Sequence, residues 1–165
     1  MPSFQVVSVS LLHINFDENP DFEPDQEIGP FPFEVGGGHL FDEEDRTLYV
    51  NLGVRTPNDI DKTEVPFMFD VMYQGVFVFD PETDKNTIES CAEINCPAII
   101  FPYIRECLGD VVRRGNFPPF ILPTINFVKR AQKRKVTIKE IEETGGKKKT
   151  KSSKKGEAEK KAKKR

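Results

Sequence analysis

Residues 96–119 read Cys96-Pro97-Ala98-Ile99-Ile100-Phe101-Pro102-Tyr103-Ile104-Arg105-Glu106-Cys107-Leu108-Gly109-Asp110-Val111-Val112-Arg113-Arg114-Gly115-Asn116-Phe117-Pro118-Pro119. Apolar residues recur here at helical spacing. Ile104, Cys107, Leu108, Val111 and Val112 share one face, and Arg105, Glu106, Asp110, Arg113 and Arg114 take the other. Asn95 is placed to cap this helix, and Pro97 fits a first turn, where its missing N–H costs little. Pro102 predicts either a short opening turn before the main helix or one kinked helix. Asp110 and Arg114 form an i,i+4 pair. Gly115 suits the C′ position, and Pro118 blocks continuation.

Upstream of this helix the period changes from helical to alternating. Leu48, Val50, Leu52 and Val54 alternate with Tyr49, Asn51, Gly53 and Arg55, the pattern of a strand. Residues 65–79 form a second, with Val65, Phe67, Phe69, Val71, Tyr73, Phe77 and Phe79 on one face. Residues 4–16 predict a long strand with apolar residues on both faces: Val7, Val9 and Leu11 on one, Phe4, Val6, Leu12, Ile14 and Phe16 on the other. Residues 33–41 predict a weaker strand, which Gly36-Gly37-Gly38 should interrupt with a bulge or bend. Between these, residues 17–33 are rich in Pro and acid and predict a long, partly extended loop. Its phenylalanines either serve function or pin the loop to the core. Downstream, residues 116–127 form an apolar linker, and Asn126 or Thr124 can cap a second helix bearing Phe127 and Ala131. Strands first and helices after predict an α+β fold with an antiparallel sheet.

Charge divides the chain. Residues 1–128 hold 7 Lys/Arg against 22 Asp/Glu, a balance of −15. Residues 129–165 hold 17 Lys/Arg against 5 Asp/Glu, a balance of +12. The division expected is one domain over 1–144 and a disordered Lys-rich tail over 145–165, which has too little apolar content to offset its ordering entropy. That tail suits nucleic acid or anionic lipid, or acts only as a solubilising segment. No integral membrane segment or signal peptide is expected, since no run of 18 apolar residues occurs and residues 1–5 offer neither a positive nor an apolar leader region. Three irregularly spaced cysteines favour free thiols and a cytoplasmic location.

No catalytic set emerges. His13 and His39 have no local nucleophile, and Cys91, Cys96 and Cys107 lack the paired spacing of a zinc site. The three glycines precede no phosphate-loop lysine. No enzyme activity, cofactor or metal is expected. The unusual feature is 14 Phe and no Trp, spread through strands, loop and linker. Such excess apolar surface marks an assembly interface, a binding groove or both, unless the small domain simply packs with Phe.

Several of these residues carry a resemblance. Cys96-Pro97, Phe101-Pro102-Tyr103, Arg105-Glu106-Cys107, Arg113, Gly115, Phe117-Pro118 and Asn126-Phe127 resemble SecB, the bacterial protein-export chaperone family. Phe4-Gln5, Asn15-Phe16-Asp17, Phe67-Met68-Phe69-Asp70-Val71 and Gly75-Val76-Phe77 extend the likeness over most of residues 4–127, with residues 20–47 aligning poorly.

The resemblance implies a four-stranded antiparallel, Greek-key-like sheet with two helices packed on one face. It implies a homotetramer built as a dimer of dimers, a holdase that binds unfolded preproteins and passes them to the translocase motor SecA. For a chaperone of this kind the candidate client-binding residues are Phe31 and Phe33 in the loop, Phe67 and Phe77 on the last strand, and Ile125 and Phe127 at the second helix. SecA binding falls at Asp17, Met68 and Asp70, with His13 standing where the family has an acid. The oligomer interface falls at Tyr103, Ile104, Cys107, Leu108 and Val111. Two alternatives stay open: a SecB-like chaperone dedicated to one partner, such as an antitoxin, and a nucleic-acid-binding module acting through the basic tail.

Overall fold

The computed structural model describes residues 4–22, 31–61 and 64–134. It divides into two units, Met1–Phe127 and Val128–Arg165. The segment 145–165, read as a tail, lies outside the described residues.

The first unit is a four-stranded antiparallel sheet: β1 (Phe4–Glu18), β2 (Glu34–Asp42), β3 (Thr47–Arg55) and β4 (Phe67–Phe79), in the order β1-β4-β3-β2. β2, β3 and β4 follow as neighbours, and β1 lies beside β4 at the far edge, which is the Greek-key arrangement expected. The alternation along β3 and β4 is borne out. Leu48, Val50, Leu52 and Val54 are buried, as are Phe67, Phe69, Val71, Phe77 and Phe79. Gly75 keeps this face flat beneath the helix, because a Cβ there would stand 2.6 Å from Phe77 Cε2 and 2.9 Å from Ile100 Cδ1.

β1 corrects the sequence reading. Its pairing with β4 slips between Val6 and Ser8 and again between Leu11 and His13. Each slip is a one-residue bulge that reverses the alternation. The register partners therefore place Phe4, Val6, Val9, Leu11, Ile14 and Phe16 all on the face of the buried β4 residues. Gln5, Ser8, Ser10, His13, Asn15 and Asp17 fall on the opposite face. The paired residues of the strand have one apolar face, not two, and Val7 and Leu12, at the two bulges, stay 61 % and 50 % exposed.

β2 brings a second correction: it runs through its three glycines in unbroken register with β3, without a bulge. Gly37 makes this possible. Its φ is +146°, and a Cβ would overlap the Asn51 carbonyl oxygen.

The helix begins earlier than expected. α1 (Lys85–Ser90) is capped by Asp84, whose carboxylate accepts from Thr87 N at 3.0 Å and from Thr87 Oγ1 at 2.6 Å. A π-turn over Cys91–Asn95 joins it to α2 (Cys96–Arg114), so Asn95 is helical and makes no side-chain cap. Pro97 explains the wide turn. Its ring would clash with the carbonyl four residues back, and an extra residue in the turn relieves that. At the other end Asn116, φ +63°, takes the left-handed position expected of Gly115. Gly115 has φ −73° and instead supplies room, since a Cβ there would meet Phe16 Cε1 and Phe117 Cδ2 at 3.1 Å. A further helix covers 127–134.

Candidate functional site: an apolar helix side and an acidic outer face

α2 carries two apolar rows, each with four-residue spacing and offset from the other by one residue. Ile100, Ile104, Leu108 and Val112 are buried in the core with β3 and β4, each contributing roughly 1.5–3 kcal/mol. Ile99, Tyr103, Cys107 and Val111 form the neighbouring row and remain partly or fully exposed. The expected interface set is therefore split. Ile104 and Leu108 are 0 % and 1 % exposed, so their side chains belong to the core, a correction to the sequence reading. Tyr103, Cys107 and Val111 offer surface.

Beside that row lies Tyr73 of β4, its ring 6.3 Å from Tyr103. Burial pushes the Tyr73 hydroxyl up to about 12, helped by a hydrogen bond with Cys107 and by the Cys107 and Glu106 charges. Leu11 is the register partner of Tyr73, and Val6 and Ile14 lie on the same face of β1. These β1 residues stay 44 %, 47 % and 37 % exposed respectively, although they point to the helix side. The outer edge of β1 pairs with no strand among the described residues. An edge strand, an uncovered apolar row and the lateral row of α2 thus adjoin.

At the far end of α2 a second apolar region forms from phenylalanine. Phe31 from the loop stacks on Phe67 at 4.9 Å and stands 5.0 Å edge-on to Phe120 and 5.7 Å from Phe69. Phe117 lies 5.1 Å and Phe120 5.6 Å from Phe67, and Phe16 joins at 5.2 Å. Phe67 is buried; Phe16, Phe31, Phe117 and Phe120 are only partly covered. The structure thus brings Phe31 and Phe67 together, with Phe67 as the floor. Phe33 and Ile125 are also partly buried against the core. Phe77 is fully buried at the other end of β4, where Phe4 meets it edge-on at 5.8 Å, so its side chain offers no surface. Phe127 is 6 % exposed and packs on Phe101 at 5.8 Å, again as core. Phe77 and Phe127 are corrections of the same kind. Phe117 and Phe120 were not picked out as binding residues, though their apolar, Pro-rich linker was the available signal.

The outer face of the sheet is mixed and carries an acidic patch at one end. Asp17, Met68 and Asp70 line one cleft of about 300 Å³ with Asn15, Arg55 and Ile60. Asp17 pairs in register with Met68, and Asn15 with Asp70, which places all four side chains on one face. Asn15 Nδ2 donates to Asp17 Oδ2 at 2.6 Å. Arg55 is the register partner of Asp70 but turns to Glu34, with Nε and Nη each 3.0 Å from Glu34 Oε2. His13 pairs with Met72 further along this face. Among the described residues no group of three or more His, Cys, Asp or Glu could hold a metal ion.

A helix-backed sheet with an uncovered apolar side and an acidic patch on its opposite face has the surfaces of a binding protein. The comparisons give the class a family. The model of the SecB family, described as preprotein translocase subunit SecB, matches residues 39–136. The chain is 31 % identical over 134 residues to the protein-export protein SecB of Bradyrhizobium diazoefficiens, covering 77 % of this chain and 79 % of that protein. It is 42 % identical over 62 residues to SecB of Acidiphilium cryptum, covering 38 % of this chain and 37 % of that protein, well under half its length. A solved structure with the same fold is the Mycobacterium tuberculosis SecB-like chaperone Rv1957 in complex with a ChAD peptide from the Rv1956 HigA1 antitoxin. It shows a TM-score of 0.61 and 20 % identity over 74 % of this chain and 91 % of that one. The chain belongs to the SecB family. Proteins of this family are chaperones, not enzymes, in line with the reading of its residues.

Proposed function

We propose that this protein is a cytoplasmic holdase that binds unfolded preproteins on its helix-side apolar surface and delivers them to SecA. The observation that carries the reading is the group of half-covered rings, Phe31, Phe117 and Phe120, lying over buried Phe67. Half-exposed rings on a fixed floor suit extended apolar segments of any sequence, and native proteins hide such segments. Phe33 and Ile125 border the core on the same side and extend the proposed client track.

Assembly into a homotetramer, a dimer of dimers, belongs to the same reading. The free edge of β1 and the row Tyr103, Cys107, Val111 are the surfaces we assign to it. Four copies multiply modest contacts along one client without needing a tight single site. Asp17, Met68 and Asp70, gathered in one cleft, are the proposed SecA contact. Among the described residues no helix is long and apolar enough to cross a membrane.

The test is light scattering of a denatured preprotein diluted into this protein, with native mass measured alongside. Suppression of aggregation by a species of four subunits is expected; unchanged aggregation in the presence of a stable tetramer refutes the proposal. A dedicated-partner chaperone is the second reading, favoured by the shared fold with a chaperone solved on an antitoxin peptide. It predicts protection of one partner and none of general preproteins.

A further inference from the structure

The outer face holds a second cleft, next to the acidic one, of about 520 Å³. Gly36 and Gly53 form its floor, Met72 one wall, and Glu34, Arg55 and Asp70 its charged rim. Gly36 and Gly53 are register partners, and Met72 is the partner of Gly53 on β4, so the three lie in one row across the sheet. Two missing side chains therefore leave a gap that Met72 closes on one side.

The fold itself does not require glycine at position 36. Gly37 needs its positive φ, but a Cβ at Gly36 meets nothing within 4 Å. Glycine in a strand costs roughly 0.5–1 kcal/mol relative to alanine and packs nothing, and often marks close approach of a ligand. A Cβ at Gly53 would already touch Met72 Cε at 3.3 Å, so Met72 is the wall nearest that gap, and its thioether side chain adapts to what enters. The rim selects by charge. Arg55 is taken up by Glu34, which leaves the carboxylates of Asp70 and nearby Asp17 facing a ligand.

We infer that this cleft takes one bulky aliphatic or aromatic side chain of an extended cationic peptide that continues across the sheet to Asp70 and Asp17. The inference deepens the docking role proposed for the acidic cleft and rests on it. Asp70 and Arg55 line both clefts, so one peptide spans them without leaving the face.

The test uses the full chain and two synthetic peptides, Lys-Lys-Leu-Lys-Lys and Lys-Lys-Ser-Lys-Lys, each extended by two glycines and fluorescein-labelled. Affinity is read by anisotropy, and the site by methyl NMR of Met72 and amide shifts of Gly36 and Gly53. The leucine peptide is expected to bind about tenfold tighter than the serine peptide, the scale of burying much of one leucine side chain. It also shifts the Met72 methyl. Gly36→Val fills the cleft and brings the ratio to near one. Gly38→Val, also open to a Cβ but outside the cleft lining, leaves the ratio intact. Asp70→Asn weakens both peptides together.

Equal affinities on the native protein overturn the inference, as does a leucine advantage that survives Gly36→Val. Loss of the advantage together with a change in native mass also overturns it, since the cleft would then be an interface between copies. SecA affinity of the Asp70→Asn chain reports separately on the docking role, because it does not depend on the leucine-to-serine ratio.

Discussion

Phe31→Ala separates a binding ring from a ring that only pins its loop. Phe31 stacks on Phe67 at 4.9 Å with the planes 21° apart, and it touches Phe69 and Phe120. Removing a fully buried phenylalanine costs roughly 3–5 kcal/mol. Phe31 is only partly buried, so about 2 kcal/mol of stability should be lost, visible as a lower urea midpoint with unchanged slope. The exposed part of the ring should contribute about 1 kcal/mol to client binding in each protomer, a factor of about five in affinity. Repeated along a client that spans several protomers, this exceeds tenfold. The assay is release of a labelled unfolded preprotein, followed at a temperature where the variant is fully folded. Faster release by tenfold or more is expected. A lowered urea midpoint with native release kinetics refutes the reasoning and makes Phe31 a structural pin.

Three other outcomes follow from the geometry. Gly37→Ala should lose roughly 1–3 kcal/mol or more of stability in a urea titration, because the left-handed φ of +146° and the Asn51 carbonyl both oppose a side chain; a neutral effect would contradict the strand geometry. Burial holds the Cys96 thiol up at about 12 and the Tyr73 hydroxyl at about 12, so the folded chain keeps protons that the unfolded chain releases. Their stabilising effect is present below pH 9 and is lost as pH rises toward 12, so alkaline melts should steepen over that window, and Cys96→Ala should flatten them from pH 9 upward. Tyr103→Lys with Val111→Lys should lower the native mass without changing the far-UV circular dichroism, and an unchanged mass would remove these residues from the assembly surface.

Much of the fold was legible because β3 and β4 bury one face each, which writes a clean alternation into Leu48–Val54 and a continuous apolar row into the odd positions of Phe67–Phe79, although Met68, Met72, Val76 and Val78 lie on the other face. β1 was misread for a physical reason. A bulge shifts every later side chain to the other face, and nothing in Val7 or Leu12 marks the two positions. The early helix start was signalled by Asp84 with Thr87, but Pro97 and Asn95 offered a competing cap nearer the apolar stripe. The site was legible by type more than by residue. Spacing groups Ile104 with Cys107 and Leu108, yet only tertiary packing shows that one row meets the sheet and the next does not. Phe67 and Phe77 look alike in the alternation, whereas Phe31, Phe117 and Phe120 gather only over Phe67. Asp17, Met68 and Asp70 came from the family resemblance alone, because the register that gathers them in one cleft depends on the two bulges of β1.

The central claim is that unfolded chains bind the helix side and not merely any exposed apolar residue. Leu40 on β2 is 69 % exposed, and its register partner Tyr49 alternates with the buried residues of β3, which places it on the outer face. A photo-crosslinking amino acid placed at Phe120 and, separately, at Leu40 therefore compares two apolar positions on opposite faces. With a denatured preprotein, Phe120 should crosslink strongly and Leu40 weakly, and neither should capture the same protein once folded. Equal yields at the two positions, or equal capture of folded and unfolded protein at Phe120, would contradict the account.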